Sequence, residues 1–141
     1  MLTRQIELRA ADGEAEAIPC TIATAAPVPR SMGAEILDCT PAGVDLTRAP
    51  LPLLIAHDAG SLAVGHVDAL AADGNRVTGR ARFATSPEAQ QILADVKAGI
   101  HRSLSVGYQH IGEGGPTDAG TVYRWQPHEV SIVPVPADVA A

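Results

Sequence analysis

The sequence predicts a mostly β fold carrying one clear helix, an α+β chain arranged as a compact β-barrel or sandwich. Three observations lead there. Segments with period-two alternation recur along the chain, a single stretch has the 3.6-residue period of a helix, and most connections between them are short and rich in glycine or proline. At 141 residues the chain has the length of one domain and can bury about two-thirds of its unfolded surface. Nothing in it reads as a linker, so a single domain over residues 1–141 is expected.

Taken in order, residues Thr3 to Arg9 and Ala17 to Ala23 alternate polar and apolar positions, the pattern of half-buried strands. Ala25 to Gly33 carries two prolines and a glycine and reads as an irregular surface loop, able to border a substrate cleft. Glu35 to Asp38 and Pro52 to Ala56 are short strands, the second apolar enough to be buried on both faces, with His57-Asp58 at its exit. Ala63 to Leu70 and Arg76 to Phe83 flank Ala72-Asp73-Gly74-Asn75, and an Asp-Gly pair supplies the positive φ angles of a hairpin turn.

The helix is predicted over Pro87 to Ala98. Ser86 can accept a hydrogen bond from its first turn, and proline fits the first helical position because it lacks an N–H. Ala89, Ile92, Leu93 and Val96 form one stripe, and Lys97 and Gly99 suit the C-terminal end. Ile100 to Tyr108 ends in β-branched and aromatic residues and reads as a core strand. Gly112 to Gly120, with four glycines and a proline, is expected to be a flexible loop. Thr121 to Trp125 and His128 to Val135 then close the chain as two strands separated by Pro127.

Composition excludes several classes of function. The chain is 46% hydrophobic but 3% aromatic, so Ala, Val, Leu and Ile must build its core. Ten Lys and Arg against sixteen Asp and Glu give a net charge of −6, with no basic run to follow a phosphate backbone, so direct nucleic-acid binding is not expected. No apolar stretch has membrane-spanning length and the N-terminus lacks a signal-like apolar core, which predicts a soluble intracellular protein with no membrane contact. Cys20 and Cys39 form no CxxC pair and are expected as free thiols in a reducing compartment.

Phosphate loops, dinucleotide fingerprints, HExxH and GxSxG are all missing, so chemistry must come from scattered residues. A serine hydroxyl attacks a carbonyl only if a base takes its proton and donors stabilise the oxyanion, and histidine is the base best suited to neutral pH. His57, Asp58, His66 and Glu129 have no recognised zinc spacing. His66, His101 and His110 read as surface residues, and Trp125 as a core or interface anchor.

Three segments carry a family resemblance. Leu53-Leu54-Ile55-Ala56-His57-Asp58 is an aliphatic strand ending in histidine and followed by Val64-Gly65. Lys97 to Tyr108 runs from a helix end through glycine to Ser105-Val106-Gly107-Tyr108. Glu129-Val130-Ser131-Ile132-Val133 leads to Pro136-Ala137-Asp138. In this order, over about Glu35 to Asp138, they resemble the prohead (capsid-maturation) serine proteases of tailed bacteriophages. The resemblance implies a fold like that of the herpesvirus assembly proteases, with Ser105 as nucleophile, His57 as general base and Glu129 orienting it.

Ser103, on the same strand face, competes with Ser105, and Asp58 or His128 could orient the base instead of Glu129. Backbone N–H groups near Ser105, or the Arg102 guanidinium, are candidate oxyanion donors. The resemblance further implies no cofactor, self-association, and a place inside the assembling procapsid in the host bacterial cytoplasm. There the enzyme would cleave scaffold or delta segments of the major capsid protein, and itself. Relatives often continue past the position of Asp138, so Val139-Ala140-Ala141 would suit a processed end. The alternative is a non-catalytic capsid-assembly or scaffold-binding module on the same fold.

Overall fold

A computed structural model describes residues 2–7 and 17–134. The rest of the first predicted strand, the Pro136-Ala137-Asp138 ending and the last three residues lie outside them. Among the described residues eight strands and one helix run in the order β1 (Leu2–Glu7), β2 (Ala17–Thr24), β3 (Glu35–Leu37), β4 (Leu51–Ile55), β5 (Gly65–Ala72), β6 (Arg76–Phe83), α1 (Pro87–Lys97), β7 (Ser103–Thr117) and β8 (Gly120–Val133). The mostly β composition with one helix is as the sequence predicts.

The strands form one sheet in the order β1-β7-β8-β4-β5-β6-β2, with β3 added to β8. β3 and β4 run parallel to β8, against residues 121–123 and 130–132 respectively. The sheet curls into a half-barrel rather than closing by hydrogen bonds, for among the described residues β1 and β2 end the order without pairing to each other. A side chain spans the gap instead. Arg4 of β1 donates to the carbonyls of Thr24 and Ala26 at 3.4 and 3.0 Å. It also meets the Glu35 carboxylate at 3.3 Å, with both side chains almost wholly buried.

The core lies within the curl. Ile18 and Ile22 of β2, Leu51 and Leu53 of β4, and Leu104 and Val106 of β7 are all buried there. Tyr108 and Trp125, also fully buried, meet edge to face at 5.6 Å, and the Trp125 indole donates to the Asp38 carbonyl at 2.9 Å. Trp125 is therefore a core anchor. The helix adds Ala89, Leu93 and Val96 to the same cluster. Ser86 caps it by accepting from the Ala89 N–H at 3.3 Å, and Gly99 takes φ +79° just beyond its end. Cys20 and Cys39 are buried free thiols, and burial pushes each up to about 11.

The β5–β6 hairpin turns where expected, with Gly74 at φ +96° and the Asp73 carboxylate accepting from the Asn75 and Arg76 N–H groups, both at 2.8 Å. Three expectations need correction. Residues 112–120 are not a loop: β7 and β8 pair almost to their tip, Thr117 opposite Gly120, and a register shift between Ile111 and Gly115 absorbs the glycine-rich stretch. The two closing strands are one. Pro127 does not split them: it stands in register with Tyr108 beside a second register shift, the kind of irregularity at which a strand accommodates proline. The third concerns Ile100, which lies before β7 and is exposed rather than part of a core strand.

Candidate active site

Alternation along β7 and β8 sorts side chains onto two faces. Leu104, Val106, Val130 and Ile132 enter the core, so Ser105, Gly107, Glu129 and Ser131 share the opposite face. The antiparallel register sets Ser105 across from Ser131, and Gly107 across from Glu129. Two hydroxyls and a carboxylate are thus gathered on one patch by pairing alone.

His57 arrives from β4. That strand runs parallel to β8 with Leu54 beside Ser131 and Ile55 beside Ile132, so its exit lies over the patch. The chain then turns sharply: Ala56 and His57 adopt φ +50° and +60°, in the left-handed region that costs a residue with a Cβ about 1–2 kcal/mol. Three hydrogen bonds offset that cost. Ala56 N–H donates to Ile132 O at 2.9 Å, Asp58 N–H to Ile55 O at 3.0 Å, and His57 N–H to the Ser131 hydroxyl at 3.0 Å.

The return of the chain is pinned as well. Val64 N–H donates to Leu53 O at 2.9 Å, and Ala84 N–H to Val64 O at 2.7 Å. Gly65 lies so close to β6 that a Cβ there would sit 2.0 Å from the Arg82 carbonyl oxygen. The Val64-Gly65 pair thus fixes both ends of the turn that presents the histidine.

His57 Nε2 lies 2.9 Å from Ser105 Oγ, and His57 Nδ1 is in short contact with Glu129 Oε1. A carboxylate at Nδ1 holds the imidazole proton there and leaves Nε2 free to accept from the serine hydroxyl. The second carboxylate oxygen of Glu129 accepts from Ser131 Oγ at 2.8 Å. Glu129 is 5% exposed, while Ser105 and Ser131 have no exposed surface. The imidazole is the most accessible part of the group, with a side-chain exposure of 28%.

The structure therefore brings together His57, Ser105 and Glu129. It leaves the competitors apart. The imidazole bonds Ser105 and not Ser103, which starts β7 opposite Val133. Asp58 turns its carboxylate to its own loop, accepting from Gly60 N–H at 3.0 Å and Ser61 Oγ at 2.7 Å, and those bonds hold it below its usual value. His128 occupies the extra position of the β8 bulge, and burial together with the Arg48 charge holds it below the usual imidazole value. Arg102 is exposed, just ahead of β7. Among the described residues no three His, Cys, Asp or Glu side chains gather to hold a metal ion.

Sequence reasoning missed two residues. Ser131 is visible only once its i, i+2 relation to Glu129 is set opposite Ser105. His110 is not a surface decoration: its Nε2 lies 2.6 Å from Glu35 Oε2, and its ring stacks on Tyr123 with centroids 3.7 Å apart. By contrast His66 and His101 stay near the surface beside Asp68 and Asp95.

Comparison with known proteins gives two matches. Residues 31–141 fit the family model described as caudovirus prohead serine protease. Over 122 residues the chain is 40% identical to the major capsid protein of Halomonas phage phiHAP-1, an alignment that takes in 79% of this chain and 20% of that protein. The chain thus spans about a fifth of the length of the curated relative it matches. No solved structure matches it at a significant level.

Proposed function

The chain belongs to the caudovirus prohead serine protease family, and from that premise we propose that it is a serine endopeptidase of capsid maturation, working through Ser105, His57 and Glu129. The observation that carries the reading is the 2.9 Å contact between Ser105 Oγ and His57 Nε2, with Glu129 on the other ring nitrogen. His57 takes the hydroxyl proton as Ser105 attacks the scissile carbonyl. An acyl-enzyme forms on Ser105, the proton passes to the leaving amine, and water repeats the sequence to release the acid. Glu129 keeps the imidazole in the productive tautomer and balances the imidazolium charge.

Developing oxyanion charge needs donors. Ser105 lies in a strand paired on both edges, to Gln5 and to Ser131, so its own N–H belongs to the ladder. Other backbone N–H groups near Ser105 and the exposed Arg102 guanidinium are the two candidates. Arg102→Ala separates them: a loss of about 10²- to 10³-fold in acylation, the span for removing one oxyanion donor, would assign the guanidinium, and an unchanged rate would leave the backbone N–H groups.

The substrates in this reading are scaffold or delta segments of the major capsid protein, and the protease itself, within the assembling procapsid in the host cytoplasm. A stretch resembling this chain inside a protein named major capsid protein supports an association with the capsid chain. The reading includes a single prohead-protease-like domain over residues 1–141, a barrel related to the herpesvirus assembly proteases, and self-association. A serine-directed fluorophosphonate is expected to label Ser105 by peptide mass mapping, and to fail on His57→Ala. Absence of label from a folded wild-type chain would favour the non-catalytic assembly module, which the full burial of Ser105 also fits.

A further inference from the structure

We propose that Ser131 is a positioning residue of the site, a hydroxyl that locks the histidine-bearing turn and the orienting carboxylate into one unit. This rests on the reading of Ser105, His57 and Glu129 as the reacting group and its support. Ser131 is fully buried, and its single hydroxyl does two things. As acceptor it takes the His57 N–H at 3.0 Å; as donor it gives its proton to Glu129 Oε2 at 2.8 Å. The other oxygen of Glu129 meets the His57 ring. A closed loop of contacts results, from the His57 backbone through Ser131 and Glu129 to the His57 imidazole.

The loop matters because both of its ends need fixing. His57 stands at φ +60°, a backbone state that a β-carbon disfavours, so the turn persists only where its neighbours over-determine it. A carboxylate held by one oxygen alone can rotate about its terminal torsion, which is broad. With Oε2 tethered to Ser131, Oε1 is aimed at Nδ1. The hydroxyl has one proton, and since the N–H is a donor that proton must go to Glu129. The polarity of the loop is therefore fixed. The parallel β4–β8 pairing supplies the geometry, because Leu54 beside Ser131 brings the turn after β4 over the Ser131 side chain.

The test uses the full chain as wild type, Ser131→Ala, Ser131→Cys, Glu129→Gln and the Ser131→Ala/Glu129→Gln double variant. Fluorophosphonate labelling kinetics are read beside the downfield proton resonance of His57 Nδ1, with thermal melting as a check on folding. Ser131→Ala is expected to slow labelling about 10- to 100-fold, the span of one lost hydrogen bond to a charged group, and to broaden or shift the Nδ1 proton. The double variant should lose less than the product of the two single losses, since the Ser131–Glu129 contact is shared, while the His57 N–H bond is lost only with Ser131. Ser131→Cys keeps a weak donor and should fall between wild type and alanine, so the question stays answerable if the alanine variant does not fold.

A wild-type rate and an unmoved Nδ1 resonance in Ser131→Ala would overturn the inference, as would full additivity with Glu129→Gln. Failure of the underlying reading looks different: folded wild type would take no label, or Ser105→Ala, run alongside, would label as well as wild type.

Discussion

Ser105 Oγ and His57 Nε2 lie 2.9 Å apart although 48 residues separate them in the chain. Neither strand alone makes that contact. β8 makes it, pairing with β7 on one edge to set Ser105 across from Ser131, and with β4 on the other to bring the exit of that strand over the same position. A single strand thus carries Glu129 and fixes the spacing of His57 and Ser105.

Glu129→Gln tests the role of charge with little change of shape. It keeps an acceptor but loses the negative charge that holds the Nδ1 proton and balances the imidazolium. The expected result is a fall of about 10⁴-fold in acylation with melting temperature nearly unchanged. Labelling kinetics beside a melting curve check it; a rate within a few-fold of wild type would remove Glu129 from the mechanism.

Ser105 has no exposed surface, while the His57 side chain is 28% exposed. A substrate carbonyl can reach such a hydroxyl only after a local opening. Labelling of the free chain is therefore expected to level off as probe concentration rises, at a rate set by opening rather than by encounter. A rate that stays proportional to probe concentration would show that the hydroxyl is accessible without rearrangement.

Glu35 anchors a second polar group, away from the candidate site. Burial pushes its carboxyl up, but hydrogen bonds from Tyr108 and His110 and the charges of Arg4 and Arg30 outweigh that effect and leave it below its ordinary value. A depressed carboxylate contributes stability that is fully present above its unfolded value of about 4.3, and is lost as pH falls through the lower folded value. Urea unfolding of wild type should weaken across that acid range, whereas Glu35→Gln should be flatter there. Near neutral pH the same substitution leaves Arg4, with 3% side-chain exposure, short of its counter-charge and should cost about 3–5 kcal/mol. Equal stabilities at pH 7 would contradict this account of Arg4 and Glu35.

Local features of the fold were legible in the sequence wherever one segment decided the outcome. Ser86-Pro87 and Gly99 bracket the helix because capping is settled within a turn, and Asp73-Gly74 sets the hairpin for the same reason. The meeting of His57, Ser105 and Glu129 was readable only through a family pattern, since it depends on parallel pairing between strands more than seventy residues apart. Composition misled at Gly112 to Gly120, where partners across the β7–β8 hairpin override the loop preference of glycine. Ser131 and His110 escaped notice because a buried hydroxyl or imidazole declares its partner only when distant strands are brought into register.

The most direct measurement is co-expression of the chain with the capsid precursor proposed as its substrate, beside Ser105→Ala and Ser103→Ala, with precursor processing followed by intact mass. Processing should persist with Ser103→Ala and disappear with Ser105→Ala. Unchanged processing in both variants would contradict Ser105 as nucleophile and, with it, the account of this site.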